Sequence, residues 1–328
     1  MEEPRVLLWA FGCLPERGSE PGIGWNTAWE LSQRFRVWVI TDLENAALIN
    51  EKLALDPNDN LVFEYIKFTY TKNFFKKMSD AFAPFHYLLY LIWQIRAYKA
   101  SIKLIKTHKI VLIHHVSYSN FWFPVLAAWL PGIFIWNAGG REKYDAAFLN
   151  QISLRQRVKE VFRNLLITIA DHSFWVKYSS KKASAILSPS PMTGKYFSSK
   201  WHFFTAAGLS TNDYLHLQYK RTQNKEDFKL VSVGRLIGTK CYSLAIKAFA
   251  KYAQQNDRAE YWIIGDGPEM KSLKKLTIKL ELGDRIKFFG WIPRQDLLNT
   301  IGKCDVFIHT AFHELSGAAL IEAMGSAL

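Results

Sequence analysis

Asp305-Val-Phe-Ile-His-Thr-Ala-Phe-His-Glu-Leu-Ser-Gly-Ala-Ala-Leu-Ile-Glu-Ala-Met324 is the stretch on which the reading of the fold turns. Val306 to His309 has the pattern of a buried strand. A polar, aromatic loop follows, and then a small-residue helix whose first turn comes after Glu314 and whose interior carries Glu322. Two carboxylates eight positions apart across a helix start are separated by roughly 12 Å of rise and roughly 80° around the axis. Such a pair is placed to grip two parts of one elongated ligand, with the free N–H groups of the helix start meeting an anion between them. The bland alternative is an ordinary βα element with an acid near a helix N-terminus, where the dipole favours it.

Working outward, the second half of the chain alternates strand and helix. Strands are predicted at Phe228–Val233, Tyr261–Ile264, Arg285–Gly290 and Val306–His309, with helices at Tyr242–Gln254, Glu269–Leu282 and Arg294–Gly302. The first half reads similarly. Strands are expected at Arg5–Ala10, Val37–Thr41, Leu61–Lys67, Val111–His115, Phe134–Trp136 and near Ala185–Leu187. Phe11–Gly24 reads as a loop, Trp25–Arg34 as a helix, and a long helix runs from Pro84 to Thr107. This alternation predicts α/β architecture: two Rossmann-like domains, each with a parallel sheet covered on both faces. Their expected extents are 1–207 and 208–328, with the polar segment Tyr219–Asp227 as a linker candidate and Gly208 as an alternative hinge.

Composition narrows the function classes. The chain of 328 residues is 49% hydrophobic, enough for globular cores and too little for a multispan membrane protein. A formal charge of +13 implies an anionic partner. Cys13, Cys241 and Cys304 are scattered, which argues against a zinc site or disulfide framework and fits a reducing, cytoplasmic compartment. The stretch Lys72–Lys109 interleaves Lys72, Lys76, Lys77, Arg96, Lys99, Lys103 and Lys106 with Phe74, Phe75, Tyr90 and Trp93. It has the composition of a peripheral surface for anionic membrane, or of a core helix with a solvated basic face. No nucleic-acid motif accompanies the high charge, so RNA is the weaker third reading.

Ligands of open α/β sheets bind beyond the carboxyl ends of the strands, and the distinctive residues lie there. Gly234-Arg-Leu-Ile-Gly-Thr-Lys240 brings Arg235 and Lys240 to one βα loop, as two cations for a diphosphate or simply two solvated charges. It is neither a P-loop nor a dinucleotide fingerprint. Gly18-Ser-Glu-Pro-Gly-Ile-Gly24, followed by Trp25, offers close backbone approach to a ligand, or a plain turn. His114 and His115 end a strand; His115 is the candidate to face a cleft, and a structural imidazole is the alternative.

Taken in order, Gly234-Arg-Leu-x3-Lys240, Ile263-Ile-Gly-Asp-Gly-Pro-Glu269, Phe288-Phe-Gly-Trp-Ile-Pro293 and Glu314-x7-Glu322 resemble the retaining glycosyltransferases of family four, which have the GT-B fold. Gly18–Asn26 and Trp136-Asn-Ala-Gly-Gly-Arg-Glu142 resemble the N-terminal segments of a bacterial branch. The resemblance implies two domains facing across a cleft and a nucleoside-diphosphate sugar (UDP or GDP) as co-substrate, with no metal. It implies that Arg235 and Lys240 hold the diphosphate, with Gly234, Gly267 and Gly317 lining the donor site. Glu314 then meets the donor sugar, Glu322 the ribose, and Trp291 and Ile292 the base. Gly18, Glu20, Gly22, Gly24, Trp25, Gly139 and Gly140 fall to the acceptor, a saccharide or lipid-linked molecule of envelope or exopolysaccharide synthesis. His115 joins Arg235, Lys240 and Glu314 in the implied catalytic set. An epimerase of the same fold and a non-catalytic sugar-nucleotide or glycan binder are the alternatives. Cys241, His309 and Asn137-Ala138 depart from the family's usual Gly, Pro and Gly-Pro. The family continues past the position of Leu328, so the resemblance also implies an incomplete C-terminal domain.

Overall fold

The structure, a computed structural model, describes residues 4–68, 83–149, 152, 154–205, 208, 228–312, 314 and 317–328. It divides into two compact units, Met1–Lys143 with Arg163–Ala206, and Tyr144–Phe162 with Ala207–Leu328. The second unit therefore takes a segment out of the first half of the chain, where the sequence analysis expects two continuous domains. A small cluster explains the grouping: Tyr144, Leu149 and buried Ile152 pack with Cys241.

The first unit is built on a parallel sheet. Its strands are β1 (Arg5–Ala10), β2 (Arg36–Asp42), β3 (Leu61–Ile66), β4 (Leu112–Ser117), β5 (Ile133–Asn137), β6 (Ala183–Ser188) and β7 (Trp201–Phe203). Their order is β3-β2-β1-β4-β5-β6-β7. Alternate side chains of β1 serve two cores, which is why it reads as one unbroken apolar run. Leu7 and Trp9 belong to one core with Trp38 and Ile40 of β2. Val6, Leu8 and Ala10 belong to the other with Val37 and Val39. The helices introduced by this half of the chain are α1 (Ser19–Ser32), α2 (Ala46–Leu55), α3 (Ala83–His108), α4 (Ala146–Leu149), α5 (Leu154–His172), α6 (Phe174–Lys182) and α7 (Pro191–Phe197). Helices α2, α4, α6 and α7 are not predicted from the sequence.

Two sequence expectations change here. First, helix α1 starts at Ser19, so the expected Gly18–Gly24 loop is mostly the first turns of a helix. Pro21 is tolerated there because first-turn N–H groups have no intrahelical partner. Second, two aromatic residues of the stretch read for membrane contact, Tyr90 and Trp93, fold inward. Tyr90 and Trp93 of α3 are 1% and 0% exposed, and Trp9 Nε1 donates to Ser101 Oγ of the same helix at 2.9 Å. Lys99, Lys103 and Lys106 form an exposed basic face. Lys72, Lys76, Lys77, Phe74 and Phe75 lie outside the described residues, as does the linker candidate Tyr219–Asp227. Among the described residues no helix is long and apolar enough to cross a membrane.

The second unit has a parallel sheet of β8 (Lys229–Val233), β9 (Glu260–Ile264), β10 (Ile286–Gly290) and β11 (Val306–Phe307), ordered β10-β9-β8-β11. Helices α8 (Tyr242–Ala253), α9 (Met270–Lys279), α10 (Arg294–Ile301) and α11 (Ala318–Gly325) alternate with these strands. One face buries Leu230, Tyr261, Ile263 and Ile286 with Ala245, Ile246 and Phe249 of α8. The other buries Val231, Ile264 and Cys304, with Ile292 and Phe307 packed against them.

Candidate functional site

The carboxyl ends of three adjacent strands share one device. β8, β9 and β10 each reach a glycine at positive φ: Gly234 at 145°, Gly265 at 133° and Gly290 at 71°. An L side chain rarely adopts these angles, so glycine lets each chain leave its strand sharply. The turns are then tied in series. Gly234 N donates to Ile264 O at 3.0 Å, Gly265 N to Gly290 O at 2.8 Å and Leu236 N to Asp266 O at 2.9 Å. A Cβ on Gly265 would stand 2.0 Å from Gly234 O, so the two turns touch backbone to backbone.

After Gly234 the chain presents exposed Arg235, buries Leu236, and passes a single 3-10 turn, Gly238–Lys240, before Cys241 starts α8 in a left-handed conformation (φ 51°). The loop after β11 is bound to that turn. Thr310 Oγ1 donates to the carbonyls of Lys240 and Cys241 at 3.0 and 3.1 Å, and Phe312 N donates to Thr239 O at 3.1 Å. Ser232 Oγ donates to Ile308 O from the neighbouring strand, and accepts from Tyr261 at 2.7 Å.

These ties bring Lys240 and Glu314 together. Lys240 Nζ donates to Glu314 Oε2 in a short ion pair, with both side chains about three-quarters covered. His309 Nε2 stands 3.4 Å from the same carboxylate oxygen. Burial, and then the Lys240 charge, lower the His309 pKa, while Glu314 raises it. Ser232, Val233, Lys240, Tyr242, Ile308, His309 and Thr310 line a small recess at this point.

Glu314 precedes the helix and Glu322 lies inside it, as the sequence reading has them, but the helix starts later than that reading places it. Helix α11 begins at Ala318 after its N-cap Gly317, which leaves Glu314 in the preceding loop. The N-cap residue is a glycine, which has no side chain of its own to offer the helix's first N–H groups. Glu322 is 5% exposed and accepts from Arg294 Nη1 at 2.6 Å. Trp291 is exposed, and Ile292 packs against the core. A Cβ on Gly267 would meet Leu236 O at 2.5 Å, so this glycine serves loop packing.

The residues assigned to the acceptor in the first unit separate into two groups. Glu20, at the start of α1, accepts from Ser119 N at 2.8 Å, and Ser119 O in turn accepts from Gly139 N. Burial raises the Glu20 pKa; the backbone hydrogen bonds from Ser119 and Tyr118 oppose it. Glu20 and Gly139 thus meet at the ends of β4 and β5, with half-buried Gly140 following and exposed Gly18 capping α1. Gly22, Gly24, Trp25 and His115 are elsewhere. Gly22 and Gly24 press α1 against the carbonyls of Arg17 and Gly12. Trp25 is 5% exposed and stacks on Trp29 and Phe63, making it a core residue. His115 is 1% exposed, with Nε2 3.3 Å from Tyr90 Oη, and burial lowers its pKa to about 3. It is a neutral core imidazole facing no open surface.

Sequence reasoning did not find His309, Thr310, Ser232 or Arg294 as parts of the site. Arg294 directly follows the quoted Gly290–Pro293 segment, which was the available signal. Thr310 and Ser232 announce themselves through partners 70 and 76 positions away, and His309 through its approach to Glu314 in the following loop.

Residues 217–328 match the family model described as "Glycosyl transferases group 1". The phosphatidylinositol N-acetylglucosaminyltransferase GPI3 subunit of Saccharomyces cerevisiae is 25% identical over 104 residues, 32% of this chain and 23% of that protein. The lipopolysaccharide core biosynthesis glycosyltransferase LpsD of Rhizobium meliloti is 30% identical over 99 residues, 30% of this chain and 27% of that protein. These matches therefore span only about a quarter of each relative's length. Solved structures extend the likeness across both units. HepE of Anabaena, in complex with UDP and glucose, has a TM-score of 0.59 at 15% identity, covering 98% of this chain and 78% of that one. WaaG, a glycosyltransferase involved in lipopolysaccharide biosynthesis, has a TM-score of 0.60 at 15% identity, covering 98% and 79%. The fold is GT-B: two Rossmann-like units, each with a parallel sheet.

Proposed function

We propose that this chain is a glycosyltransferase that takes a sugar from a nucleoside diphosphate, UDP or GDP, and passes it to a saccharide or lipid-linked acceptor with retention. The observation that carries the reading is the Lys240–Glu314 pair, whose lysine is on the same βα loop as Arg235, within the segment matching the group 1 transferases. Cleaving the sugar–phosphate bond builds negative charge on the departing diphosphate. Arg235, Lys240 and the start of α11 supply positive charge and N–H donors, which stabilise that charge most in the transition state. Glu314 then exchanges its bond to Lys240 for the donor sugar's hydroxyls, and the Glu322–Arg294 pair meets the ribose. No metal enters the proposal, because the two cations take the role of neutralising the diphosphate. No side chain is assigned as a covalent nucleophile, so the acceptor attacks from the leaving-group face through an oxocarbenium-like state. Envelope or exopolysaccharide synthesis at the cytoplasmic side is the setting proposed.

The test is UDP and GDP binding, followed by transfer assays over a panel of nucleotide sugars. Arg235→Ala and Lys240→Ala each lower nucleotide affinity by about 10- to 100-fold, the scale of one charge-assisted contact. Glu314→Gln leaves UDP affinity intact, since it removes a competitor for Lys240, and abolishes transfer. Unchanged nucleotide binding in both cation variants sinks the site. Donor turnover without acceptor identifies an epimerase, and binding without nucleotide release identifies a binding protein.

A further inference from the structure

Glu314 Oε2 has two nitrogen neighbours. Lys240 Nζ pairs with it, and His309 Nε2 stands 3.4 Å away. The two differ in freedom. Lys240 ends a flexible four-carbon stem. His309 is held from both sides. Ile308 N, before it, donates to Val231 O at 2.8 Å, and Thr310, after it, is bonded to the carbonyls of Lys240 and Cys241. Its ring lies nearly parallel to that of Phe307, at 15° with centroids 6.2 Å apart. His309 Nε2 is buried and makes no hydrogen bond. A buried ring nitrogen without a partner is costly, and the nearest carboxylate oxygen is one it can take up. Burial and the Lys240 charge keep the imidazole neutral near pH 7 while the Lys240–Glu314 pair is closed. The charged groups acting on it are Lys240 and Glu314, and Tyr242 lines the same recess.

We infer that His309 is a positioning residue that receives Glu314 when an anionic ligand draws Lys240 away. The inference rests on the transferase reading, in which a diphosphate is that ligand. A carboxylate three-quarters covered and left without its cation loses the interaction that offsets its desolvation. Withdrawal of Lys240 also removes a charge that holds His309 neutral, and Glu314 together with the diphosphate favours the protonated ring. His309 Nε2–H then donates to Glu314 Oε2. Both nitrogens address this same oxygen, so the exchange leaves Oε1 for a hydroxyl of the donor sugar. A fixed imidazole thus keeps Glu314 oriented while the mobile lysine is committed to phosphate. Such orientation acts on turnover and leaves nucleotide affinity to Arg235 and Lys240.

The experiment is a proton NMR titration of His309, its signal identified by its loss in His309→Gln. It is run on the parent, Lys240→Met, Glu314→Gln and the double variant, with folding checked by circular dichroism. In Lys240→Met the His309 midpoint is expected to rise. Adding Glu314→Gln brings it down again by about one pH unit or more, the scale of an opposite charge at this distance. With Lys240 present, Glu314→Gln shifts it by less. UDP raises the midpoint in the parent, and by less in Glu314→Gln. In transfer assays His309→Leu lowers kcat about tenfold with UDP affinity unchanged, the scale of one hydrogen bond. His309→Gln, which keeps an N–H donor, recovers most of that loss. A midpoint that ignores Glu314 in the Lys240→Met background overturns the inference while nucleotide binding stands, and so does parental kcat in His309→Leu. Failure of both UDP and GDP to bind overturns the transferase reading instead. The Lys240→Met titration uses no nucleotide, so it supports or overturns the His309–Glu314 pairing in either case.

Discussion

His114 and His115 show how burial fixes a protonation state. His114 Nε2 pairs with Asn137 Oδ1 at 2.9 Å, and burial lowers its pKa to about 4; His115, beside it, falls to about 3. A histidine lowered in the folded state is protonated first in the unfolded chain. Its contribution is complete above the unfolded value near 6.5 and is lost as pH falls from there towards 4. For His114 alone this predicts a loss of about 2 kcal/mol of unfolding free energy between pH 7 and pH 5. Asp42 acts in the opposite sense, because burial and then the nearby Glu44 raise its pKa to about 6. His114→Gln keeps a group able to bond Asn137 but does not titrate, so the difference between variant and parent isolates the histidine. Urea midpoints at the two pH values measure it, and parallel curves for parent and variant would refute the assignment. At the site, Lys240 and Glu314 are each recognisable as candidates, but their contact spans 74 positions and rests on the hydrogen bonds of Thr310.

Among elements, α1 differs most from its sequence signal. Gly18, Pro21, Gly22 and Gly24 are turn residues by local preference. The structure uses two of these glycines for helix-to-loop packing, which no local pattern encodes. A Cβ on Gly24 would lie 2.1 Å from Gly12 O, and that neighbour is backbone, so it cannot step aside as a side chain would. Gly24→Ala is therefore expected to lower stability by about 1–3 kcal/mol, the usual cost of overpacking. Gly18 has nothing within 4 Å of its would-be Cβ and an ordinary φ of −79°, so Gly18→Ala is nearly silent. Chemical denaturation of the two variants side by side checks this, and equal losses would mean that the close approach at Gly24 is absent. Strands β8, β9 and β10 agree with their sequence prediction to within one residue at each end, because β-branched and aromatic residues bounded by glycine leave little choice of register.

On the scale of the whole molecule, each unit has its own sheet and its own cores, and the nucleotide site is proposed in only one. Calorimetric unfolding is expected to resolve two transitions. UDP at a hundredfold excess over its dissociation constant adds about 2.7 kcal/mol to the unit that binds it. That moves one transition upward by roughly 5–10 °C and leaves the other in place. If both move together, the two units unfold as one and the independent description fails. The sequence by itself determined the α/β class, the strand-end position of Arg235 and Lys240, and the order of motifs that matches the group 1 transferases. Those features depend on local periodicity and short spacings, which the chain carries in full. Only the tertiary structure decided that Tyr144–Phe162 groups with the second unit and that Trp25 and His115 are core residues. It also decided that Glu322 is held by Arg294. An aromatic ring looks the same in sequence whether it packs inward or outward. Its direction is set by which neighbours cover it, and those neighbours are distant in the chain.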